Sequence, residues 1–388
     1  MVRVAFVFRD VLFGWNGGIN YYKNLILILS KTNEYIPVIF TSPNCKDKVE
    51  KNFPNIEIHY SNLFTENSLK SKLRKVFLYY FHKVVFFDSL LQRYKIDIVS
   101  HNDLFPMKYK SKIKSCSWIP DFQSLHLPEL YTTKALQRER LIRNELIKNS
   151  TKVCLSSEDA KKDFCNYFSN NQLNKVLVMP FSLPPREKES YNVFILNKYK
   201  LQPFSYFVVS NQFWKHKNHI IIAKALRILH SKGEDVLVVA TGSKKDLRCS
   251  NSISDLDDYI TKNNITTSFT FTDNIPYEDV KVLQYYSIAI IQPSLFEGWN
   301  TAVEESKLIG KKIILSNIDV HIEQKPENVI YFNPQDAEDL AEKLLESRNH
   351  YDRNVEKEFE NRAFEKQTER WRDFSQRYIS ILKTTLNE

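Results

Sequence analysis

Two glutamates eight positions apart, Glu297 and Glu305, are the residues whose types and spacing point most directly to chemistry. They follow the apolar run Ile288-Ala-Ile-Ile-Gln292, which predicts a buried parallel strand, and Thr301 to Ile309 then predicts a helix. Glu297 would stand in the loop at the helix N-terminus and Glu305 on the helix, separated by roughly 80° of net rotation and about 12 Å of rise. One ligand about ten ångströms long could touch both acids, its anionic middle lying over the free N–H groups near Asn300 and Thr301. A nucleotide sugar has that shape, with hydroxyls at the sugar end, a diphosphate in the middle and ribose hydroxyls beyond. Two arbitrary glutamates are more often a capping acid and a solvated helix residue. Here the apolar strand, the small turn residues and the anion-ready helix start coincide, which favours the ligand.

Other loops carry chemistry of the same kind. Ser210-Asn-Gln-Phe-Trp-Lys-His-Lys217-Asn-His219 follows a predicted strand and opens a helix, so Lys217 can meet a diphosphate as a point charge at the C-terminal edge of a sheet. A solvated basic turn is the plainer reading of that loop taken alone. Trp15-Asn-Gly17-Gly18-Ile19 joins the first strand to the first helix, and two glycines let backbone approach phosphate or sugar, although an ordinary turn explains them equally well. In Trp118-Ile-Pro120-Asp121-Phe-Gln123-Ser-Leu-His126, an acid, an amide and an imidazole share one loop. They could orient sugar hydroxyls, with His126 exchanging protons or simply shaping the loop. Ser157 reads as a helix cap.

These loops need a scaffold, and strand-like runs alternate with helix-like runs from end to end, the pattern of parallel sheets covered by helices. Predicted strands in the first half are Val4–Phe8, Tyr35–Thr41, Asn55–Tyr60, Ile96–His101, Lys114–Ile119, Lys152–Ser156 and Lys175–Met179. The second half supplies Tyr206–Ser210, Val236–Thr241, Phe269–Thr272, Ile288–Gln292, Lys312–Ser316 and Val329–Phe332, with a helix at Lys217–Ser231. Between them lies a proline-bearing, charged stretch from Pro180 to Pro203, where a domain boundary is expected. The tail from Glu356 to Leu386 is charged and helical, with apolar residues near Trp371, Phe374, Tyr378 and Ile381.

Bulk properties narrow the classes. A chain of 388 residues suits two domains, and 43% hydrophobic with 26% charged residues is the balance of a soluble globular protein. No long uncharged apolar window predicts a transmembrane helix, and the N-terminus reads as a first strand and not as a signal peptide. Five scattered cysteines, none in a C-x-x-C spacing, argue against zinc and a disulfide framework and for a reducing cytoplasm. A net charge of +9 suits an anionic donor or an anionic membrane face; without a nucleic-acid motif, nucleic acid is the weakest partner. The segment Leu69 to Phe87 is basic early and aromatic later, which fits a lipid-interface helix or, slightly better, a domain helix burying its aromatic face.

Pro293-Ser-x-x-Glu297-Gly, the Glu297/Glu305 spacing and Gly310-Lys-Lys-Ile-Ile-Leu-Ser316 together resemble the retaining glycosyltransferases of family 4. That resemblance implies the GT-B fold: two Rossmann-like α/β domains facing across a cleft, with a C-terminal helix crossing back to the first. Residues 1–185 would bind the acceptor, 204–355 the nucleotide-sugar donor, and 356–388 would form the crossing helix. Glu297 would hold the sugar hydroxyls and Glu305 the ribose, while Lys217 matches the lysine of the family's R-x4-K pair, with Gln212 where arginine is usual. Gly17 and Gly18 match the glycine loop that lies against donor phosphates and acceptor, and Gly242 falls in the loop near the base or diphosphate. Asp121 is kept from a His-Asp pair at the reaction centre, Pro120 stands in place of its histidine, and His126 is the remaining substitute. The implied reaction moves a hexose from a nucleoside-diphosphate sugar to a glycan hydroxyl with retention, without a metal ion or other cofactor.

The implied acceptor is lipid-linked, as for many relatives. Abundant Lys, Asn, Ile, Tyr and Phe point to an AT-rich bacterial gene, and so to O-antigen or capsule synthesis at the inner face of the cell membrane. A non-catalytic partner of another transferase, or an epimerase or phosphorylase of the same fold, stands as the alternative.

Overall fold

The computed structural model describes residues 1–9, 16–65, 68–73, 85–102, 113–168, 170–187, 191–244, 251–272 and 274–388. Among the described residues thirteen short strands form two sheets, and every strand pair there is parallel. The first sheet holds β1 (Val2–Val7), β2 (Tyr35–Thr41), β3 (Glu57–Tyr60), β4 (Ile98–Asn102), β5 (Lys114–Ile119), β6 (Lys152–Leu155) and β7 (Val176–Val178), in the order β3-β2-β1-β4-β5-β6-β7. The second holds β8 (Phe207–Ser210), β9 (Val238–Thr241), β10 (Phe269–Thr272), β11 (Ile290–Gln292), β12 (Ile313–Ser316) and β13 (Val329–Phe332), in the order β10-β9-β8-β11-β12-β13. In each sheet the strand order reverses once, between β1 and β4 and between β8 and β11. Such switch points open a crevice at the C-terminal ends of the strands.

The chain divides into two compact units. Unit 1 comprises Met1–Phe122, Thr132–Phe181 and Arg372–Glu388; unit 2 comprises Gln123–Tyr131 and Ser182–Trp371. The helices that bear on the candidate sites are α1 (Asn16–Ser30), α2 (His219–Ser231), α3 (Tyr277–Tyr286), α4 (Thr301–Ile309), α5 (Asp319–Gln324) and α6 (Arg353–Asn387). Helix α6 contributes residues to both units.

Parallel strands are covered on both faces, so their residues read as continuous apolar runs. In unit 2, Phe207 and Val209 of β8 pack with Ile222, Leu226 and Leu344 on one face of the sheet. Tyr206 and Val208 pack with Leu196, Val303 and Ile313 on the other. In unit 1, Ala5 and Val7 pack with Val38, Phe40, Phe87 and Val99. Trp371, Phe374, Tyr378, Ile381 and Leu382 of α6 are buried at helical spacing, so one stripe of that charged helix is core.

Helix α4 ends at Gly310, whose φ is +69° and whose missing Cβ would lie 2.4 Å from the Phe359 carbonyl oxygen. Only glycine fits both demands. No helix among the described residues is long and apolar enough to cross a membrane. Most of the basic, aromatic segment 69–87 that fitted a lipid interface falls on residues 74–84, outside the described residues.

Candidate functional site

At the switch point of the second sheet, strands β8 and β11 hand their chains to Lys217 and Glu297. The predicted helix Lys217–Ser231 begins later, at His219; Lys217 lies in a 3₁₀ turn, and Asn218 turns the chain at φ 58°. Asparagine tolerates that left-handed conformation. Its side-chain amide donates to the Pro293 carbonyl at 3.1 Å and the Pro334 carbonyl at 2.9 Å, tying the basic turn to the loop after β11.

The Lys217 ammonium donates to Glu297 Oε1 at 2.5 Å, and both side chains are nearly buried. The same oxygen accepts from Ser294 Oγ at 2.6 Å. Burial alone would raise the Glu297 pKa, but Lys217, helped by His216 and His321, outweighs it and holds the carboxyl below its ordinary value. Glu297 is therefore an anion at neutral pH, locked beside a cation.

Asn300 is the N-cap of α4, accepting from the Ala302 N–H at 3.0 Å. Its amide nitrogen is turned inward, 3.0 Å from His321 Nε2 and 3.4 Å from Glu297 Oε1. His321 Nδ1 lies 3.0 Å from the Ser316 carbonyl, which requires the proton there and leaves Nε2 to accept from Asn300. Burial lowers the His321 pKa to about 4, so the ring is neutral and serves as a prop for the cap. Gln324 of α5 pairs with the Asn300 backbone in both directions, at 3.1 and 3.0 Å. Thr301, the first residue of α4, is half-buried, whereas Asn300 is almost wholly enclosed.

Glu305 lies further along α4, buried, with one partner on each oxygen: Tyr277 Oη donates to Oε1 at 2.7 Å and Gln284 Nε2 to Oε2 at 2.8 Å. Each carboxylate oxygen retains a second lone pair for a ligand hydroxyl. Gly242, at the end of β9, has φ +141°, and a Cβ there would lie 2.2 Å from the Asn211 carbonyl oxygen. The turn after β9 thus crosses the end of β8 at a distance that no side chain permits.

The remaining candidates lie elsewhere in the chain. His126 belongs to unit 2, is exposed, and tilts its ring against Phe296 at 5.0 Å, one residue from Glu297. Asp121, Gly17 and Gly18 belong to unit 1. The Asp121 carbonyl accepts from Arg143 at 2.9 Å, Gly18 is buried in the first turn of α1, and Gly17 beside it is half-buried. Ser157 caps the helix Glu158–Tyr167, accepting from Ala160 N–H at 3.0 Å.

Sequence reasoning gave Ser294 no role beyond its place in the motif and missed His321, Gln324, Tyr277 and Gln284. Tyr277 and Gln284 come from α3 and His321 and Gln324 from α5, polar residues with no motif of their own, and only Ser294, three residues before Glu297, carried a local signal. Among the described residues no three His, Cys, Asp or Glu side chains converge as metal ligands.

Residues 195–366, which contain Lys217, Gly242, Glu297, Asn300 and Glu305, match the family model described as glycosyl transferases group 1. The O-antigen chain mannosyltransferase RfbU of Salmonella typhimurium is 23% identical over 137 residues, 35% of this chain and 36% of that protein. The match thus spans about a third of the curated relative. Whole-chain likeness is structural. Anabaena Alr3699/HepE in complex with UDP and glucose superposes with a TM-score of 0.72 at 13% identity, covering 99% of this chain and 100% of that one. A glycosyltransferase from Rickettsia africae gives 0.69 at 15%, covering 98% and 99%. The lipopolysaccharide outer core galactosyltransferase WaaB gives 0.63 at 14%, covering 99% of each chain. At these identities the likeness establishes the fold, which is GT-B.

Proposed function

We propose that this chain is a glycosyltransferase that moves a hexose from a nucleoside-diphosphate sugar to a hydroxyl of a growing glycan with retention at the anomeric carbon. The observation that carries this reading is the Lys217–Glu297 pair, held at 2.5 Å beside the start of α4 and eight residues from Glu305. A cation, a helix N-terminus and two carboxylates are the groups that a nucleoside-diphosphate sugar would call for. The match of residues 195–366 to the group 1 model supports the reading.

Departure of the diphosphate gives the leaving oxygen negative charge while the sugar becomes cationic. Lys217 and the N-terminal N–H groups of α4 stabilise that charge where it develops. Glu297, kept ionised by Lys217, accepts from the sugar hydroxyls, and Glu305 accepts from the ribose hydroxyls. The acceptor hydroxyl attacks the face that the diphosphate leaves, with the departing phosphate taking its proton. His126 and Asp121 are candidates for orienting the acceptor, and Gly17, Gly18 and Gly242 for close backbone approach to the donor.

The likeness to RfbU and WaaB makes a surface-polysaccharide acceptor the first to try, lipid-linked and at the inner membrane face. The test is transfer from a panel of nucleoside-diphosphate hexoses, in EDTA, to a lipid-linked bacterial glycan, with the product anomer read by NMR. An axial donor giving an axial product supports the reading. An inverted product contradicts retention; donor hydrolysis and transfer both absent across the panel contradict the enzyme.

A further inference from the structure

Glu297 and Glu305 are both enclosed carboxylates, yet they are held by opposite means. Glu297 has a lysine beside it. The groups that hold Glu305 are neutral: Tyr277 Oη on Oε1 at 2.7 Å and Gln284 Nε2 on Oε2 at 2.8 Å. Both belong to α3 and stand seven residues apart, two helical turns along one face.

Gln284 does more than cap one oxygen. The residue is 1% exposed, and its side-chain nitrogen also donates to Ser210 Oγ at 2.8 Å. A carboxylate only accepts, so the nitrogen of the amide, and not its oxygen, must face Glu305. The two N–H groups are then divided between the acid and the serine. Ser210 closes β8, the strand that leads into the basic turn of Lys217. One buried amide thus joins three elements, reaching from α3 to α4 through Glu305 and to the end of β8 through Ser210. A hydrocarbon side chain at this depth would pack without a polar cost. The amide gives Glu305 a fixed orientation instead.

We propose that Gln284 is a positioning residue of the donor site, aiming the Glu305 carboxylate at the ligand by tying it to the end of β8. The inference rests on the nucleotide-sugar reading of Glu305. Gln284 is enclosed and acts only through that acid. The hydroxyls that Glu305 takes are bound alike before and during transfer, so the effect falls on KM and not on kcat.

The test compares Gln284→Met, close in volume but without the amide, with Gln284→His, whose Nε2 returns one N–H at similar reach. Calorimetric titration with UDP, GDP, dTDP and ADP selects the tightest nucleotide, and its 2′,3′-dideoxy analogue is the probe without ribose hydroxyls. Gln284→Met is expected to bind that nucleotide about 10- to 100-fold more weakly, the span of one hydrogen bond to a charged group. The dideoxy analogue should bind the variant and the unaltered protein alike. KM for the sugar nucleotide should rise with kcat unchanged, and Gln284→His should recover part of the affinity. In a Glu305→Gln background, adding Gln284→Met should cost nothing further. Full nucleotide affinity in Gln284→Met, an equal loss for the dideoxy analogue, or no recovery in Gln284→His overturns the proposal. If Glu305→Gln still weakens the nucleotide in that case, only the positioning role falls. If the unaltered protein binds no nucleoside diphosphate, the parent reading falls with it.

Discussion

The C-terminal ends of β1 and β4 in unit 1 and of β8 and β11 in unit 2 are the same topological place in two sheets, filled with different matter. In unit 2 it holds the Lys217–Glu297 ion pair and the cap of α4. In unit 1 the described residues there include a neutral, buried network. His101, at the end of β4, sits at φ 53°, with Tyr21 Oη 2.8 Å from Nε2 and Ser100 Oγ 2.8 Å from Nδ1. Ser100 Oγ in turn lies 2.9 Å from Tyr378 Oη of α6. Burial pushes the His101 pKa down to about 3, so the ring stays uncharged. One switch point carries an ion pair at the start of a helix. The other ties α1 to the end of β4, and to α6, through neutral side chains.

The largest effect should come from breaking the charged side. Lys217→Ala is expected to lower turnover about 100- to 1000-fold, the range for removing one group that stabilises developing negative charge. It also strands Glu297 as an uncompensated buried anion, so the melting temperature should fall, and adding Glu297→Gln should recover much of that fall without recovering activity. Thermal melts and initial rates on the single and double variants check both parts.

On the neutral side, His101→Leu leaves Tyr21 and Ser100 without their shared partner and puts a branched side chain at positive φ. A loss of about 2–4 kcal/mol by denaturant unfolding is expected. His101→Asn, which tolerates that φ, should lose less. Nucleotide affinity should be unchanged in both. If it falls in the asparagine variant, the two switch points are not as separate in role as the comparison has them.

Gly242→Ala tests the close crossing of the turn after β9 over β8. With Cβ 2.2 Å from a backbone oxygen and φ at +141°, a cost of about 1–3 kcal/mol is expected. Weaker nucleotide binding should accompany it.

The smallest effect is on pH dependence. His101 and His219 (each about 3) and His321 (about 4) titrate below the ordinary 6.5 because burial disfavours their charged forms. The unfolded chain then takes up more protons between about pH 6.5 and 4. The stability these groups contribute is complete above about pH 6.5 and is lost as pH falls towards 4. Melting temperatures measured across that window should decline, and His219→Phe should flatten the decline.

The same contrast explains what the sequence made legible. Glu297 and Glu305 stood out because a charge at a fixed spacing after an apolar strand has few structural excuses, and the structure has the first in the loop and the second on α4. The strands were legible because burial on both faces forces unbroken runs such as Ile290–Gln292. The side chains that hold the acids in place were not. Gln284 and Tyr277 reach Glu305 from α3, and His321 and Gln324 reach Asn300 from α5, through contacts that leave no periodic trace. His101 read as an ordinary strand end, since nothing local announces a positive φ or a tyrosine 80 positions away.

Hydrogen exchange with and without the nucleoside diphosphate that raises the melting temperature most tests the central claim most directly. The account predicts the strongest protection at amides of 210–219 and 293–305, diminished in Lys217→Ala. Protection absent from both segments, or undiminished in that variant, would contradict a donor site at the switch point of the second sheet.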